Sequence, residues 1–452
     1  MSNRQPSHCI AVIGGAVAGA EVAGTLAERG IEVVVFDQNP RPYGKIEDGL
    51  PRWHVALRHK EYETIGSRLS QPGVHFVPNT RVGRDVDFRA LVSEWGFTGV
   101  ILACGAWRDR PFPVEGADAY IGKGLIYQNP FIIWFNHAEQ AGYQGERYEV
   151  LDDAIVVGGG LASIDVAKVL MLETTRAALR ARGIEEDLVE LEVKGIPKIL
   201  ERHGLTFDSL GLKGCTLFYR RSAADMPLME IPEDADERRL EKVRTGRERM
   251  LGKAMEKYLF KFEPLCAPDG LITEGDRLVG LRFRRTRIEK GRVLLLDETF
   301  ERRGSCVISS IGSIPEPIEG IPMRGELFDF SDLELGRLAE CPTVFSAGNV
   351  VTGKGNIVAS RKHARDVSEK VTEAFLGLGS EGPGREETLV DAAHDRARER
   401  AHQLADHIEC QAEIAPEALA ALRKRVRERQ AAVGYPGSYA AWIEAVTPPD
   451  MA

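Results

Sequence analysis

The sequence predicts an α/β fold with two Rossmann-like units, one inserted into the other, and a helical C-terminal extension. Two observations predict the units: an apolar run, a glycine-rich turn and a helical pattern follow one another twice along the chain. The third observation is a charged, alanine-rich stretch of about 65 residues that follows the glycine-rich segment GLGSEGPGR after residue 376.

The first glycine-rich turn lies in VIGGAVAGAEVAGTL, residues 12–26. Gly14 and Gly19 occupy the first and third positions of the Gly-x-Gly-x-x-Gly pattern, and Ala16 occupies the second. Asp37 follows 23 residues after Gly14, at the end of the next apolar run, where an acid can bond a ribose hydroxyl. Because a methyl group is the smallest side chain, we expect this turn to bind a dinucleotide pyrophosphate despite Ala16.

The second turn lies in DDAIVVGGGLASIDVAKVLM, where Gly158, Gly160 and Ser163 follow the pattern Gly-x-Gly-x-x-Ser. The next apolar run, CTLFYRR, comes after a helical insertion and ends in Arg220 and Arg221 rather than in an acid. Guanidinium groups at this position suit a 2′-phosphate, which an acid would repel. The second turn therefore predicts NADP rather than NAD; the alternative is that the arginines mark a solvated strand end.

The two turns are 144 residues apart and differ at the position that contacts the ribose. A lone glycine turn is weak evidence, but two such turns in β-α-β context predict two dinucleotides, a flavin and a nicotinamide. Three further segments, 97–116, 303–315 and 341–367, each contain a strand that ends in a glycine turn. They support two dinucleotide sites, and in the last the turn is followed by a long helix whose N-terminus could face cofactor atoms that carry partial negative charge.

The amino-acid composition of the chain argues against several classes of function. The 452 residues carry a net charge of −9, which gives no general attraction for nucleic acid or an anionic membrane. The sequence contains no uninterrupted apolar run of about 18 residues, so it predicts no membrane-spanning helix. The seven cysteines are far apart and include no C-x-x-C pair, which argues against a disulfide framework, a zinc or iron–sulfur site and a redox-active disulfide. Cysteine usage predicts a reducing, cytoplasmic compartment.

We expect four segments. Residues 1–108 and 311–376 would form the first domain, residues 109–310 would form the inserted one, and residues 377–452 would be a linker and helical extension. Amphipathic helices in the extension would pack on the main body, or alternatively serve docking or oligomerisation.

These motifs resemble the adrenodoxin-reductase-like ferredoxin–NADP reductases of the glutathione-reductase-type flavoprotein superfamily. The resemblance runs over roughly residues 8–370 and rests on DQNPRPYGKIEDGLPRWH, NTRVGRDVDFRAL, VVGGGLASIDVAKVL and GKGNIVASRKHA. The segment YRRSAADMP is more similar to the small subunit of glutamate synthase. The chain departs from the family pattern at Ala16, where the family has Gly, at Asn349, where it has Trp, and at Gly355 and Asn356, where it has Thr-Gly.

The resemblance implies particular site residues. It assigns FAD to Gly14, Gly15, Ala16, Gly19, Asp37, Gly44, Val82, Gly348, Asn349, Gly355, Asn356 and Ile357. It assigns NADP(H) to Gly158, Gly160, Leu161, Ser163, Arg220 and Arg221. His54 and Asp165 match family residues near the flavin and would support the reaction; the alternatives are a histidine bonded in a turn and an acid favoured by a helix N-terminus.

The implied function is electron transfer between NADPH and a ferredoxin-like or flavodoxin-like carrier through FAD. Such carriers are acidic, and two basic segments offer docking surfaces: residues 238–257, with eight Lys or Arg and three acids, and residues 277–292, with seven and one. No nucleic-acid recognition motif accompanies this charge. The alternatives are a flavin subunit that feeds a larger enzyme, as in relatives of glutamate synthase, and a non-catalytic FAD-binding interaction module.

Overall fold

The computed structural model describes residues 6–229, 231, 235–352, 376–378 and 387–449. Within these residues it confirms an α/β architecture built on two five-stranded parallel sheets. The predicted flavin contacts Gly355, Asn356 and Ile357 lie outside the described residues.

The strands are numbered in chain order. They are β1 Cys9–Ile13, β2 Glu32–Phe36, β3 Val74–Val77, β4 Gly99–Leu102, β5 Arg108–Asp109, β6 Leu125–Tyr127, β7 Ile155–Gly158, β8 Thr216–Phe218, β9 Lys261–Glu263, β10 Cys266–Glu274, β11 Arg277–Glu289, β12 Arg292–Arg303, β13 Val307–Ser310, β14 Ser313–Ile314, β15 Met323–Arg324, β16 Leu327–Phe328, β17 Phe330–Asp332, β18 Arg337–Leu338 and β19 Val344–Ser346.

The helices are numbered in the same way. They are α1 Val17–Glu28, α2 Lys45–Asp48, α3 Val55–Leu69, α4 Phe88–Ser93, α5 Gln128–His137, α6 Leu161–Arg180, α7 Leu188–Lys194, α8 Ile196–Arg202, α9 Glu237–Tyr258, α10 Asn349–Thr352, α11 Glu387–Glu409, α12 Pro416–Ala432 and α13 Tyr439–Val446.

The first sheet has the order β19-β4-β1-β2-β3 and is parallel throughout. Every residue of β1, β2 and β4 is buried, as expected for strands that are covered on both faces. Helix α1 connects β1 to β2, so its N-terminus lies at the carboxyl edge of the sheet, where ligands bind in open α/β folds.

The second sheet has the order β6-β13-β7-β8-β9 and is also parallel. Its strands fall between β4 and β19 in the chain, so the second unit is inserted into the first. The chain crosses between the units at β5 and β14, which pair with each other as a short antiparallel ribbon. The predicted domain boundaries at 108/109 and 310/311 lie close to this ribbon.

Strands β10, β11 and β12 form a separate antiparallel sheet. This sheet contains the basic segment 277–292, which forms a strand and the following turn. Phe218 of the second sheet stacks on Phe283 of β11, with 4.3 Å between the ring centroids. The antiparallel sheet is thus packed against the end of β8.

The C-terminal extension contains three helices in the described residues, and they pack on the first unit. The buried face of α11 contributes Ala401, Leu404, Ala405 and Ile408 to the core that surrounds β1 and α1. Arg423 of α12 forms an ion pair with Glu32 of β2. Trp442 of α13 donates its indole hydrogen to the carbonyl of Pro40, at 2.7 Å. In the part of the chain that the structure describes, no helix is both long and apolar enough to cross a membrane.

A buried charge cluster fixes α11 to the first unit. His394 lies between two carboxylates, with Nδ1 2.8 Å from Glu21 of α1 and Nε2 2.7 Å from Glu61 of α3. Burial alone would lower the pKa of His394, but hydrogen bonds with both carboxylates raise it to about 9. Arg68 and Arg398 also face Glu21, at 3.1 and 3.3 Å. The cluster is therefore stable with His394 protonated.

We expect the His394→Gln variant to lose stability at neutral pH. Because the folded-state pKa of His394 lies above its ordinary value of 6.5, its contribution is complete below pH 6.5 and is lost as the pH rises through 9. The shift corresponds to about 3 kcal/mol. Denaturant titrations at pH 6.5 and 9.5 should show this loss in the native protein and not in the variant. His402→Gln, on the exposed face of the same helix, is the control; an equal pH dependence in both variants would contradict the assignment.

Candidate functional site

The first glycine turn has the geometry of a phosphate-binding loop. A Cβ on Gly14, whose φ is +101°, would lie 2.7 Å from the carbonyl oxygen of Ala103. A Cβ on Gly19 would lie 1.8 Å from the carbonyl oxygen of Gly14, so this glycine allows α1 to pack closely against β1. Ala16 is the N-cap of α1, and no side chain caps the first turn of the helix. The N–H groups of that turn are therefore left to bind a ligand.

A cavity lies at the end of β1, beside the N-terminus of α1. Five predicted FAD residues line it: Gly14, Ala16, Asp37, Gly44 and Val82. The remaining lining residues were not predicted from the sequence, and include Thr80, Arg81, Cys104, Trp107 and Glu316. Residues that are far apart in the chain thus meet around one cavity at the carboxyl edge of the first sheet.

Asp37 is held rigidly at the edge of this cavity. Its carboxylate accepts hydrogen bonds from the backbone N–H of Gly15 at 2.8 Å and of Asn39 at 2.9 Å. Burial raises the pKa of Asp37 to about 6, although these two hydrogen bonds act in the opposite direction. A ribose hydroxyl that donates to this carboxylate would add a further hydrogen bond to its charged form.

The methyl group of Ala16 is accommodated because the residue that faces it, Gly44, has no side chain. A Cβ on Gly44 would lie 2.9 Å from the Cβ of Ala16. Gly348 packs on the start of the same helix, where an added Cβ would lie 2.7 Å from the Cβ of Ala18. Asn349 begins helix α10 directly after it. The residues at the first turn fit a dinucleotide.

The second turn repeats this geometry at the end of β7. A Cβ on Gly158 would lie 2.4 Å from the carbonyl oxygen of Ser310 and 2.7 Å from the Cβ of Ser163. By contrast, a Cβ on Gly160, the N-cap of α6, would have no neighbour within 4 Å. Ser163 and Leu161 are buried. The loop is thus tightly packed toward the sheet and open at Gly160, where a pyrophosphate would approach.

The arginine pair lies beside this second turn. Tyr219 precedes the pair and its ring covers the loop, since a Cβ on Gly159 would lie 2.0 Å from that ring. Arg220 is exposed and Arg221 is half-buried. Both follow the carboxyl end of β8, the strand next to β7. This is the position at which the ribose of a bound dinucleotide lies in such folds.

His54 and Asp165 do not line the cavity at the first turn. His54 is buried at the start of α3, and Asp165 is buried in the first turns of α6. Their neighbours meet where the first unit contacts the second: the ring of Trp53 lies 4.7 Å from Nζ of Lys168, one helical turn after Asp165. The structure therefore places both residues at the contact between the two units.

Lys168 is the centre of a buried cluster at that contact. Its ammonium group lies 2.8 Å from Oε1 of Glu192 and donates to the carbonyl of Leu376 at 3.2 Å. Tyr258 donates to the same Glu192 oxygen at 2.8 Å, and its ring centroid lies 4.8 Å from Nζ of Lys168. Burial acts against the charge on Glu192, but Lys168, Lys257 and the hydrogen bond from Tyr258 together outweigh it and lower the pKa of that carboxyl.

A second polar cluster connects the cavity to the crossing ribbon. Lys45, which follows Gly44, lies 3.1 Å from the hydroxyl of Ser313 in β14. Asn129 donates to the same hydroxyl at 3.0 Å, and its backbone N–H donates to Asp109 of β5 at 3.1 Å. Burial lowers the pKa of Lys45 to about 8 and raises that of Asp109 to about 6. No sequence motif marks this cluster, because its members come from four separate segments.

All seven cysteines are free thiols in the structure. Cys104 lines the cavity, and burial raises the pKa of its thiol to about 12, so it stays protonated at neutral pH.

The pair of glycine turns on two parallel sheets, one sheet inserted into the other, agrees with a family match. Residues 8–192 match the family described as pyridine nucleotide-disulphide oxidoreductase. In the structure, none of the seven cysteines of the chain is joined in a disulfide. The match covers the first sheet except for β19, together with the start of the inserted unit.

Individual relatives agree with this family. The chain is 24% identical over 357 residues to NADPH:adrenodoxin oxidoreductase of Arabidopsis thaliana, which covers 71% of this chain and 70% of that protein. It is 29% identical over 174 residues to the glutamate synthase [NADPH] small chain of Escherichia coli, covering 36% of this chain and 34% of that protein. Two other curated relatives, cindoxin reductase of Citrobacter braakii and a probable NADPH:adrenodoxin oxidoreductase of Schizosaccharomyces pombe, are matched over only 38% and 35% of their own length.

A solved structure has the same fold over nearly the whole chain. FprA from Mycobacterium tuberculosis, a His57Gln mutant, superposes with a TM-score of 0.63 at 18% identity, over 94% of this chain and 90% of that one. These findings confirm the predicted fold and the predicted resemblance to oxidoreductases.

Proposed function

We propose that this chain passes electrons between NADPH and a ferredoxin-like or flavodoxin-like protein through a bound FAD. The observation that carries the proposal is the difference between the two glycine turns: Asp37 lies beside the first, and Arg220 and Arg221 follow the strand beside the second. An acid suits a ribose with free hydroxyls, and arginines suit a 2′-phosphate. The two turns would therefore hold different dinucleotides.

The residues of the chain would position the two dinucleotides and would not themselves react. The N-terminus of α1 would bind the FAD pyrophosphate, Asp37 would accept a ribose hydroxyl, and Arg81, which lies 3.3 Å from Glu316, would add a cation at the cavity edge. When bound, FAD supplies the change from hydride transfer to single-electron transfer. Either direction of electron flow is compatible with this arrangement.

His54 and Asp165 would support the reaction from the contact between the two units. Their burial, and the contact of Trp53 beside His54 with Lys168 one helical turn after Asp165, favour a positioning role. A His54→Ala variant is informative if FAD reduction by NADPH and electron transfer to the carrier are measured separately. No change in either rate would remove His54 from the mechanism.

The experiment that tests the function is an anaerobic titration of the purified, FAD-loaded protein with NADPH and, separately, with NADH. The proposal expects stoichiometric bleaching of the flavin by NADPH and poor reduction by NADH. Equal reduction by both would contradict the NADP assignment. A protein that takes up no added FAD would favour the interaction module instead.

For the carrier, we propose docking on the exposed face of α9, within the basic segment 238–257. Arg238, Arg239 and Lys242 are exposed on its N-terminal half. The other basic segment, 277–292, is less suited because four of its arginines pair with acids: Arg282 and Arg284 with Asp269, Arg285 with Glu263, and Arg287 with Glu289.

We expect the triple variant R238Q/R239Q/K242Q to reduce a ferredoxin or flavodoxin about tenfold more slowly at low salt. Its FAD should be reduced by NADPH at the native rate. The same charge removed from α12, in K424Q/R425Q/R427Q, is the control. As the ionic strength increases, the stopped-flow rates of carrier reduction by the α9 variant and by the native protein should converge. The reason is that salt screens the attraction between the carrier and α9. Equal rates in both variants at low salt would contradict docking on α9.

A second candidate function is a flavin subunit of a larger enzyme, favoured by the 29% identity to the glutamate synthase small chain. It predicts reduction of FAD by NADPH without efficient transfer to a free ferredoxin or flavodoxin. The rate of carrier reduction thus separates the two candidates.

A further inference from the structure

The hairpin between β11 and β12 reaches the arginine pair of the second turn. Arg221 donates a hydrogen bond from Nη2 to the backbone carbonyl of Gly291 at the hairpin tip, at 2.8 Å. This contact joins residues 70 positions apart. It fixes the guanidinium group at the tip of the hairpin and leaves its other N–H donors for a ligand.

The tip has a defined conformation and carries positive charge. Lys290 and Gly291 both have positive φ, at 48° and 75°, between the paired residues Glu289 and Arg292. This is the two-residue type I′ turn that fits the twist of a β-hairpin. Lys290 and Arg292 are exposed, and neither forms an ion pair with any residue that the structure describes.

The hairpin is also connected to the backbone of the arginine pair. The hydroxyl of Thr286 donates to the carbonyl of Arg220 at 2.9 Å, and the N–H of Leu265 donates to the carbonyl of Arg221 at 3.1 Å. The register of β11 against β12 shifts between Arg284 and Thr286. Such a bulge turns a side chain out of the regular ladder, and here it accompanies the hydrogen bond from Thr286 to Arg220.

We propose that the hairpin tip, Lys290 to Arg292, is part of the site that binds the 2′-phosphate of NADPH and selects it over NADH. This inference rests on the proposed function. Arg220 and Arg221 form one side of the site, and the tip forms the other. The 2′-phosphate carries the charge that NADH lacks, so cations on both sides favour NADPH specifically.

The test measures binding rather than turnover, on the full chain loaded with FAD. Calorimetry compares adenosine 2′,5′-bisphosphate with 5′-AMP, which lacks the 2′-phosphate. The variant K290N/R292Q removes both tip charges and keeps an Asn-Gly turn, which favours the same type I′ geometry. The control R277Q/R303Q removes two charges at the far end of the same sheet, about 40 Å along β11.

We expect K290N/R292Q to bind the bisphosphate about tenfold more weakly at low salt, with unchanged affinity for 5′-AMP. The control should bind both ligands as the native protein does, and R221A should lose the preference for the bisphosphate. A native preference that R221A abolishes and K290N/R292Q leaves intact would overturn the inference while the proposed function stands. A native protein without preference between the two ligands would overturn the NADP assignment itself, and the inference with it.

Discussion

Replacement of Gly19 by alanine is expected to yield a protein that purifies without bound flavin. The added Cβ would lie 1.8 Å from the carbonyl oxygen of Gly14 and 2.9 Å from its carbonyl carbon, so α1 must move away from β1. Overpacking of this kind costs about 3 kcal/mol, and here it also displaces the helix N-terminus that faces the cavity. The visible absorbance of the purified variant, before and after addition of FAD, measures the result.

A matched control is Gly252→Ala. Gly252 also lies inside a helix, α9, but an added Cβ there has no neighbour within 4 Å. We expect this variant to retain its flavin and to gain up to about 1 kcal/mol of stability, because alanine favours a helix more than glycine does. Full flavin content in Gly19→Ala would show that the first turn does not bind the FAD.

The Lys168→Met variant is expected to be the least stable single substitution at the contact between the two units. Lys168 is fully buried, and its removal leaves Glu192 buried with a hydrogen bond from Tyr258 but without a cation in contact. Removal of one partner from a buried ion pair costs about 3–5 kcal/mol. Denaturant unfolding gives the loss, and a change in the fluorescence of Trp53, whose ring contacts Lys168, would report the same site.

The exposed pair of Lys424 and Glu428 on α12 provides the comparison, because its atoms are 3.8 Å apart and both side chains are solvated. Lys424→Met should change the free energy of unfolding by less than about 1 kcal/mol. If Lys168→Met lost no more than this, the buried cluster would not stabilise the contact.

The parts of the site that the sequence could predict are those with a local signature. A glycine turn, the strand before it and the helix after it are consecutive in the chain, so Gly14, Gly19, Gly158 and Gly160 could be predicted before the fold was known. Arg81 and Trp107 could not, because they reach the cavity only when distant segments fold together. Their side chains carry no pattern that separates them from ordinary surface residues.

The electrostatic environment of a charged side chain could be predicted from the sequence even less well. Residues 277–292 have a large excess of basic side chains along the sequence, but Asp269 and Glu263 on neighbouring segments neutralise several of them in the fold. Lys168 shows the reverse case. It occupies an ordinary position in a helical pattern, and only the packing of α7, α9 and the residues at 376–378 around it shows that it is buried.

The ribbon of β5 and β14 has a consequence for how such a chain could have arisen. Arg108 pairs with Ile314 and Asp109 with Ser313, so the inserted unit begins and ends at neighbouring points. A domain whose two ends are close together can enter a surface loop of a host domain without stretching it. One insertion of a complete gene segment at a single loop would therefore build this topology. The first sheet would keep its own strand order, because β19 pairs directly with β4 although the inserted unit lies between them in the chain.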